Sequence, residues 1–163
     1  MLRLDPAALR KALDQLEQAV HDHARWHDDL IRSIVCRLPC DPNDLDEKAH
    51  RQCRFGQWYY EQAPVELWEQ PAFVAIEAEH KRLHQVAAHM LREATTGVPV
   101  SREDYDELVS GGERLRLELD SLQHAIAGSL RDRDALTGAY RRVEMLPTLR
   151  EWRELARRNV QQC

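Results

Sequence analysis

Residues 5–38 read DPAALRKALDQLEQAVHDHARWHDDLIRSIVCRL, and the spacing of their apolar side chains decides the fold class. Asp5 offers a capping carboxylate, and Pro6 suits the first helical position, where its missing N–H costs nothing. Leu9, Leu13, Leu16, Val20, His23, His27, Leu30 and Ile34 then step by fours and threes, which is one face of a helix. That helix is predicted to run to about Leu38, with Pro39 and Pro42 as its stop. The same period recurs at Phe73, Ile76, His80, Leu83, Ala87, Met90 (or Leu91) and Ala94, a second long helix from near Pro71 to residues 95–99. Ser101 with Asp104 three residues on predicts a cap. A third helix follows, with stripe Leu108, Leu115, Leu119, Leu122, Ile126 and Leu130. It is predicted to run to about Arg133, a length of ~45 Å. Asn43 and Asp44 can cap a short helix through Cys53, residues 54–70 read as loop with some helix, and 141–160 read as helical again. No segment alternates with period two over strand length. The economical architecture is all-α, a four-helix bundle whose long C-terminal helix pairs with a second copy to give a homodimer.

The composition excludes several classes. The chain has 163 residues, about one domain, and 31% of them are charged. No run approaches the ~20 apolar residues of a membrane span. The first residues lack the long apolar core of a secretory signal, so a cytoplasmic protein is expected. Lys and Arg number 23 against 28 Asp and Glu, a formal charge of -5, which makes a poor nucleic-acid binder. Of the four cysteines, Cys36 and Cys40 lack the spacing of a C-x-x-C motif and are expected as small semi-buried residues at a helix end.

The eight histidines are more informative. His23 and His80 both sit on stripes that must face the core. His84 follows His80 by one turn, so the two rings share a helix face. That is the spacing by which a helix gives a metal ion two ligands. Cys53 can supply a fourth donor, because Zn²⁺ accepts mixed nitrogen and sulfur sets. A site with all four places filled by protein structures or senses, and leaves no open position to activate water. His27 competes with His23, since it shares the stripe one turn on. His21, His50, His89 and His124 are expected at the surface or partly buried. Glu47-x-x-His50 and Glu77-x-x-His80 raise the alternative of a di-iron or oxygen-binding bundle. A metal-free dimerisation module is a third reading.

The segment Cys53-Arg54-Phe55-Gly56-Gln57-Trp58 resembles the C-x-F-G-x-W signature of the chemoreceptor zinc-binding (CZB) domain. His23 stands before Trp26 as in that family, and His80 with His84 matches its H-x-x-x-H pair. The resemblance covers roughly residues 10–130. It implies a zinc-binding four-helix bundle, usually dimeric, in cytoplasmic signalling proteins, with His23, Cys53, His80 and His84 as the Zn²⁺ ligands. Phe55, Gly56 and Trp58 would fix the loop that presents Cys53, with Gly56 free to adopt positive φ. Trp26, Trp58 and Trp68 are otherwise expected in the core.

Asp134-Ala135-Leu136-Thr137-Gly138 resembles the D-x-L-T-G opening of GGDEF domains, which make cyclic di-GMP. The match departs from the usual pattern at Ala139 and Arg141. It divides the chain into a regulatory domain, 1–133, and the truncated start of a GGDEF domain, 134–163. By itself this chain is then no enzyme, and its partner is a C-terminal diguanylate cyclase that bound zinc would inhibit. A chemoreceptor pathway is the alternative recipient. Oxidation of Cys53 would remove a ligand and offer a second input. Ser110-Gly111-Gly112-Glu113-Arg114 is only superficially similar to the GGDEF signature, since it lies within a helical stripe, and is expected as a flexible point.

Overall fold

The computed structural model describes residues 5–131, and all its regular elements are helical: α1 Pro6–Cys36, α2 Ala49–Gln52, α3 Arg54–Glu61, α4 Pro71–Thr95 and α5 Arg102–Arg131. Short 3₁₀ turns at Pro42–Leu45 and Val65–Leu67 join them. The D-x-L-T-G segment and the helix expected over 141–160 lie outside the described residues. Three long helices and the α2–α3 segment make the four sides of the bundle. No helix among the described residues is long and apolar enough to cross a membrane.

α1 starts as the sequence predicts. The Asp5 carboxylate accepts the N–H groups of Ala7 and Ala8 at 3.0 and 3.3 Å, with Pro6 in the first turn. It ends earlier than the prolines require. Arg37 adopts the left-handed conformation (φ 54°), and the Arg37 and Leu38 N–H groups bond back to Ile34 and Ser33. This αL cap closes the helix at Cys36 before Pro39 is reached.

The predicted stripes form the core. Leu9, Leu16, Ile76, Leu108, Leu122 and Ile126 are fully buried, each worth roughly 1.5–3 kcal/mol of transfer free energy. α5 packs along α4 and also touches α1. Gly111 lies at this contact, where a β-carbon would stand 3.5 Å from Leu83 Cδ1. The Gly111-Gly112 pair sits inside the α5 helix, with Gly111 against α4 and open space around Gly112. Arg114 ties the two helices further, with its guanidinium on Glu79 at 2.8 Å and Glu107 at 2.7 Å.

The α5 start is a reciprocal cap. The Ser101 hydroxyl accepts the Asp104 N–H at 3.0 Å and donates to the Asp104 carboxylate at 2.6 Å. Replacing Ser101 by Ala is expected to cost about 1 kcal/mol, read as a shift of the denaturant midpoint with unchanged slope.

Residues 54–70 are more ordered than their sequence suggests. α3 occupies 54–61 because its Phe55 and Trp58 are buried against the bundle, and tertiary packing outweighs weak local periodicity. Trp68 departs from expectation, being 54% exposed on the turn before α4. Cys36 is exposed and Cys40 half-buried.

Candidate metal centre

Four donor-bearing side chains from three parts of the chain converge in the bundle. His23 comes from α1, Cys53 from the residue that caps α3, and His80 and His84 from successive turns of α4. One ligand atom from each lies within 4.8 Å of every other. His27 is outside this group, its Nδ1 lying 3.8 Å from the Asp28 carboxylate.

Each side chain is held by its surroundings. The His23 Nδ1–H donates to the Ala19 carbonyl at 2.9 Å, which leaves Nε2 as a lone-pair donor. Cys53 serves as the N-cap of α3: its sulfur accepts the Gly56 N–H at 3.2 Å. The same sulfur is 3.3 Å from His80 Nε2 and 3.6 Å from the His50 carbonyl. Phe55 meets both His23 and His80 edge-on, at centroid distances of 5.7 and 5.1 Å. The Trp26 ring lies against His84 at 4.6 Å.

Gly56 has a different role from the one expected. It lies within α3 and its φ is not positive; the one glycine among the described residues with positive φ is Gly97. A β-carbon at Gly56 would overlap the His50 carbonyl oxygen. Glycine is required because the backbones of α2 and α3 cross there, beside the sulfur.

The electrostatics keep the imidazoles neutral. Burial, then the neighbouring His23 and His50, push His84 down to about 3. Burial first, with His23, His84 and His50 around it, holds His80 well below the usual histidine range. Burial also lowers His23, against the Ala19 carbonyl and Asp22. The Cys53 thiol is raised by burial, partly offset by the N–H groups of Gly56 and Phe55. Neutral imidazole is the form that binds a metal.

The donor set can be tested against an ion from this structure alone. His84 is 4% exposed, yet neither of its ring nitrogens has a hydrogen-bond partner. Such a group costs about 1–3 kcal/mol for each buried polar atom left unpaired. A tetrahedral Zn²⁺ with bonds of ~2.0–2.3 Å spaces its donors roughly 3.3–3.8 Å apart, so a small contraction of this cluster would accommodate it. The residues fit a three-histidine, one-cysteine metal centre.

The di-iron alternative fares worse. Neither Glu47 nor Glu77 belongs to a cluster of three or more metal-binding side chains among the described residues. Glu47 is exposed, and Glu77 accepts the Tyr60 hydroxyl at 3.1 Å. His50 corrects the expectation of a surface or partly buried side chain: it is 4% exposed, its ring 6.4 Å from His80. Its place in a short, poorly periodic segment hid it. His21, His89 and His124 are exposed as expected.

Comparison with known proteins agrees with the geometry. Residues 23–91 match the family model of the chemoreceptor zinc-binding domain, CZB. Diguanylate cyclase DgcZ of Escherichia coli (strain K12) is 24% identical over 76 residues, which are 47% of this chain and 26% of that protein. The chain thus spans about a quarter of the curated relative it matches. The solved structure of the regulatory CZB domain of DgcZ superposes with a TM-score of 0.65 at 18% identity, covering 73% of this chain and 98% of that one. That likeness establishes a shared helical-bundle fold, and the domain it matches is regulatory rather than catalytic.

Proposed function

We propose that this chain, whose residues 23–91 match the chemoreceptor zinc-binding domain, is a zinc-sensing regulatory module that controls a diguanylate cyclase following it. His23, Cys53, His80 and His84 hold the ion. The observation that carries this reading is the convergence of four donors from three segments, with His84 buried and both its nitrogens unpartnered. Bound Zn²⁺ would supply a cross-link between α1, the start of α3 and α4 in addition to their apolar and hydrogen-bonded contacts. It leaves no free coordination position, so the role is structural and regulatory.

The chain's own residues carry the consequence. His23 fixes α1, Cys53 fixes the start of α3, and the two α4 histidines fix the middle of that helix. α5 packs on both α4 and α1, so their relative position sets its angle. α5 is described to Arg131, three residues before the Asp134-x-Leu-Thr-Gly segment read as the opening of a GGDEF domain. The division is a regulatory domain, 1–133, and a GGDEF start, 134–163, in a cytoplasmic homodimer. Two cyclase domains must each present one GTP to the other, so the separation of paired α5 helices can gate the condensation. The zinc-bound arrangement is the inhibited one.

Protein purified without added metal is expected to carry about one zinc per chain, falling to near zero in His80→Ala. In a longer protein with this segment ahead of a cyclase domain, chelation is expected to raise turnover several-fold. Turnover indifferent to chelation, with zinc demonstrably removed, would overturn the regulatory reading.

A further inference from the structure

Two of the four donors, His80 and His84, are 2% and 4% exposed, so the α4 side of the centre is sealed by the bundle. The cleft that reaches three of the four donors has a volume of about 520 Å³ and is lined by His23, Cys53 and His84, together with Trp26 and Asp44. His80 does not line it. An ion reaching the centre by this route passes the Trp26 edge of the site. Four aspartates, Asp22, Asp29, Asp41 and Asp44, face two arginines, Arg25 and Arg54, along the cleft. The excess of negative charge favours a cation there.

Trp26 is placed to close the route. It follows His23 by less than one turn of α1 and lies with its ring 4.6 Å from His84. Its indole N–H reaches across the cleft and donates to Asp44 Oδ1 at 3.0 Å. Asp44 belongs to the 3₁₀ turn Pro42–Leu45, which packs on α4. The hydrogen bond therefore joins α1 to the turn that precedes the Cys53 segment, directly over one ligand. Neither Trp26 nor Asp44 is in the donor cluster. Packing on His84 would position the ring without the indole N–H; the bond to Asp44 is what spans the cleft.

We infer that the Trp26 indole, latched by Asp44, is a lid over the metal centre that sets how fast the ion is taken up and released. This rests on the reading of His23, Cys53, His80 and His84 as a zinc site. The latch slows both directions alike, so it governs exchange rate and leaves affinity nearly unchanged. A domain with a slow lid reports sustained zinc supply and ignores brief fluctuations.

The experiment uses the full 163-residue chain, with zinc alone as the probe. Release is followed with excess chromogenic chelator, and uptake by mixing the stripped chain with zinc. Trp26→Phe keeps an aromatic ring against His84 and removes the N–H; Asp44→Ala removes the acceptor. An N–H bond to a carboxylate is worth about tenfold or more in an opening equilibrium. Both variants are therefore expected to release and to take up zinc about tenfold faster, with the ratio of the two rates within a few-fold of wild type. Asp44→Asn retains a neutral acceptor oxygen, which makes a weaker bond, and is expected to release zinc at a rate between those of wild type and Asp44→Ala. Trp68→Phe, at an exposed ring distant in sequence from the site, is the control. Wild-type release rates in Trp26→Phe and Asp44→Ala would overturn the lid. So would faster release with unchanged uptake, which would make Trp26 a stabiliser of the bound state. Failure of the wild-type chain to hold one zinc would instead overturn the metal-site reading, and the lid with it.

Discussion

Exhaustive chelation is expected to lower the unfolding temperature of this chain by roughly 10 °C, and the His84→Leu variant is expected to be indifferent to the same treatment. The wild-type shift follows from mass action: an ion present at 1,000 times its dissociation constant adds about 4 kcal/mol to the folded state, and each kcal/mol moves the midpoint of a domain this size by roughly 2–4 °C. The sharper part concerns the stripped protein. Without metal, His84 buries two ring nitrogens that make no hydrogen bond, and burial holds the ring neutral, with its pKa near 3. Leu has similar bulk and no polar atom. His84→Leu is therefore expected to be more stable than chelated wild type by about 1–2 kcal/mol, while binding no zinc. Parallel thermal melts of both proteins, with and without chelator, check this. A chelation-insensitive wild type would remove the case for a metal centre. A variant less stable than the stripped wild type would show that packing against Trp26, not the unpaired nitrogens, dominates at this position.

The same residue explains why so much of the site was legible in the sequence. His23 and His80 interrupt apolar stripes of long helices, His84 follows His80 by one turn, and for such helices period alone assigns a face. Facing positions on two helices then meet, since the bundle offers one interior. Cys53 is a different case. Its neighbourhood has no clear period; the affinity of zinc for mixed nitrogen and sulfur donors made it a candidate, and the C-x-F-G-x-W resemblance singled it out. What remained hidden depends on contacts between segments distant in sequence. His50 is buried by the fold around α2, Asp44 meets Trp26 across 18 positions, and Arg114 reaches back 35 positions to Glu79. The early end of α1 at Cys36 was missed for a local reason: Arg37 takes a left-handed conformation that sequence assigns first to Gly or Asn.

Gly56→Ala is expected to destabilise the chain by about 3 kcal/mol and to impair zinc retention, although alanine is the better helix former by roughly 0.8–1 kcal/mol. The conflict is resolved by what the added methyl would meet. It would overlap the His50 carbonyl oxygen and stand 2.9 Å from the Arg51 Cα, and both are backbone atoms that no rotamer change can move away. Relief requires α2 and α3 to separate. That separation displaces the His50 carbonyl next to the Cys53 sulfur and tilts the Gly56 N–H that the sulfur accepts. Stability and metal binding should therefore fall together. Gly112→Ala supplies the contrast, because nothing lies within 4 Å of a β-carbon there and the residue is inside α5. Its expected effect is a gain of about 0.5–1 kcal/mol with zinc content unchanged. Denaturant melts and metal analysis of the two variants separate the explanations. If Gly56→Ala were as benign as Gly112→Ala, the glycine of the signature would not be there to let two backbones cross, and the placement of Cys53 would need another cause.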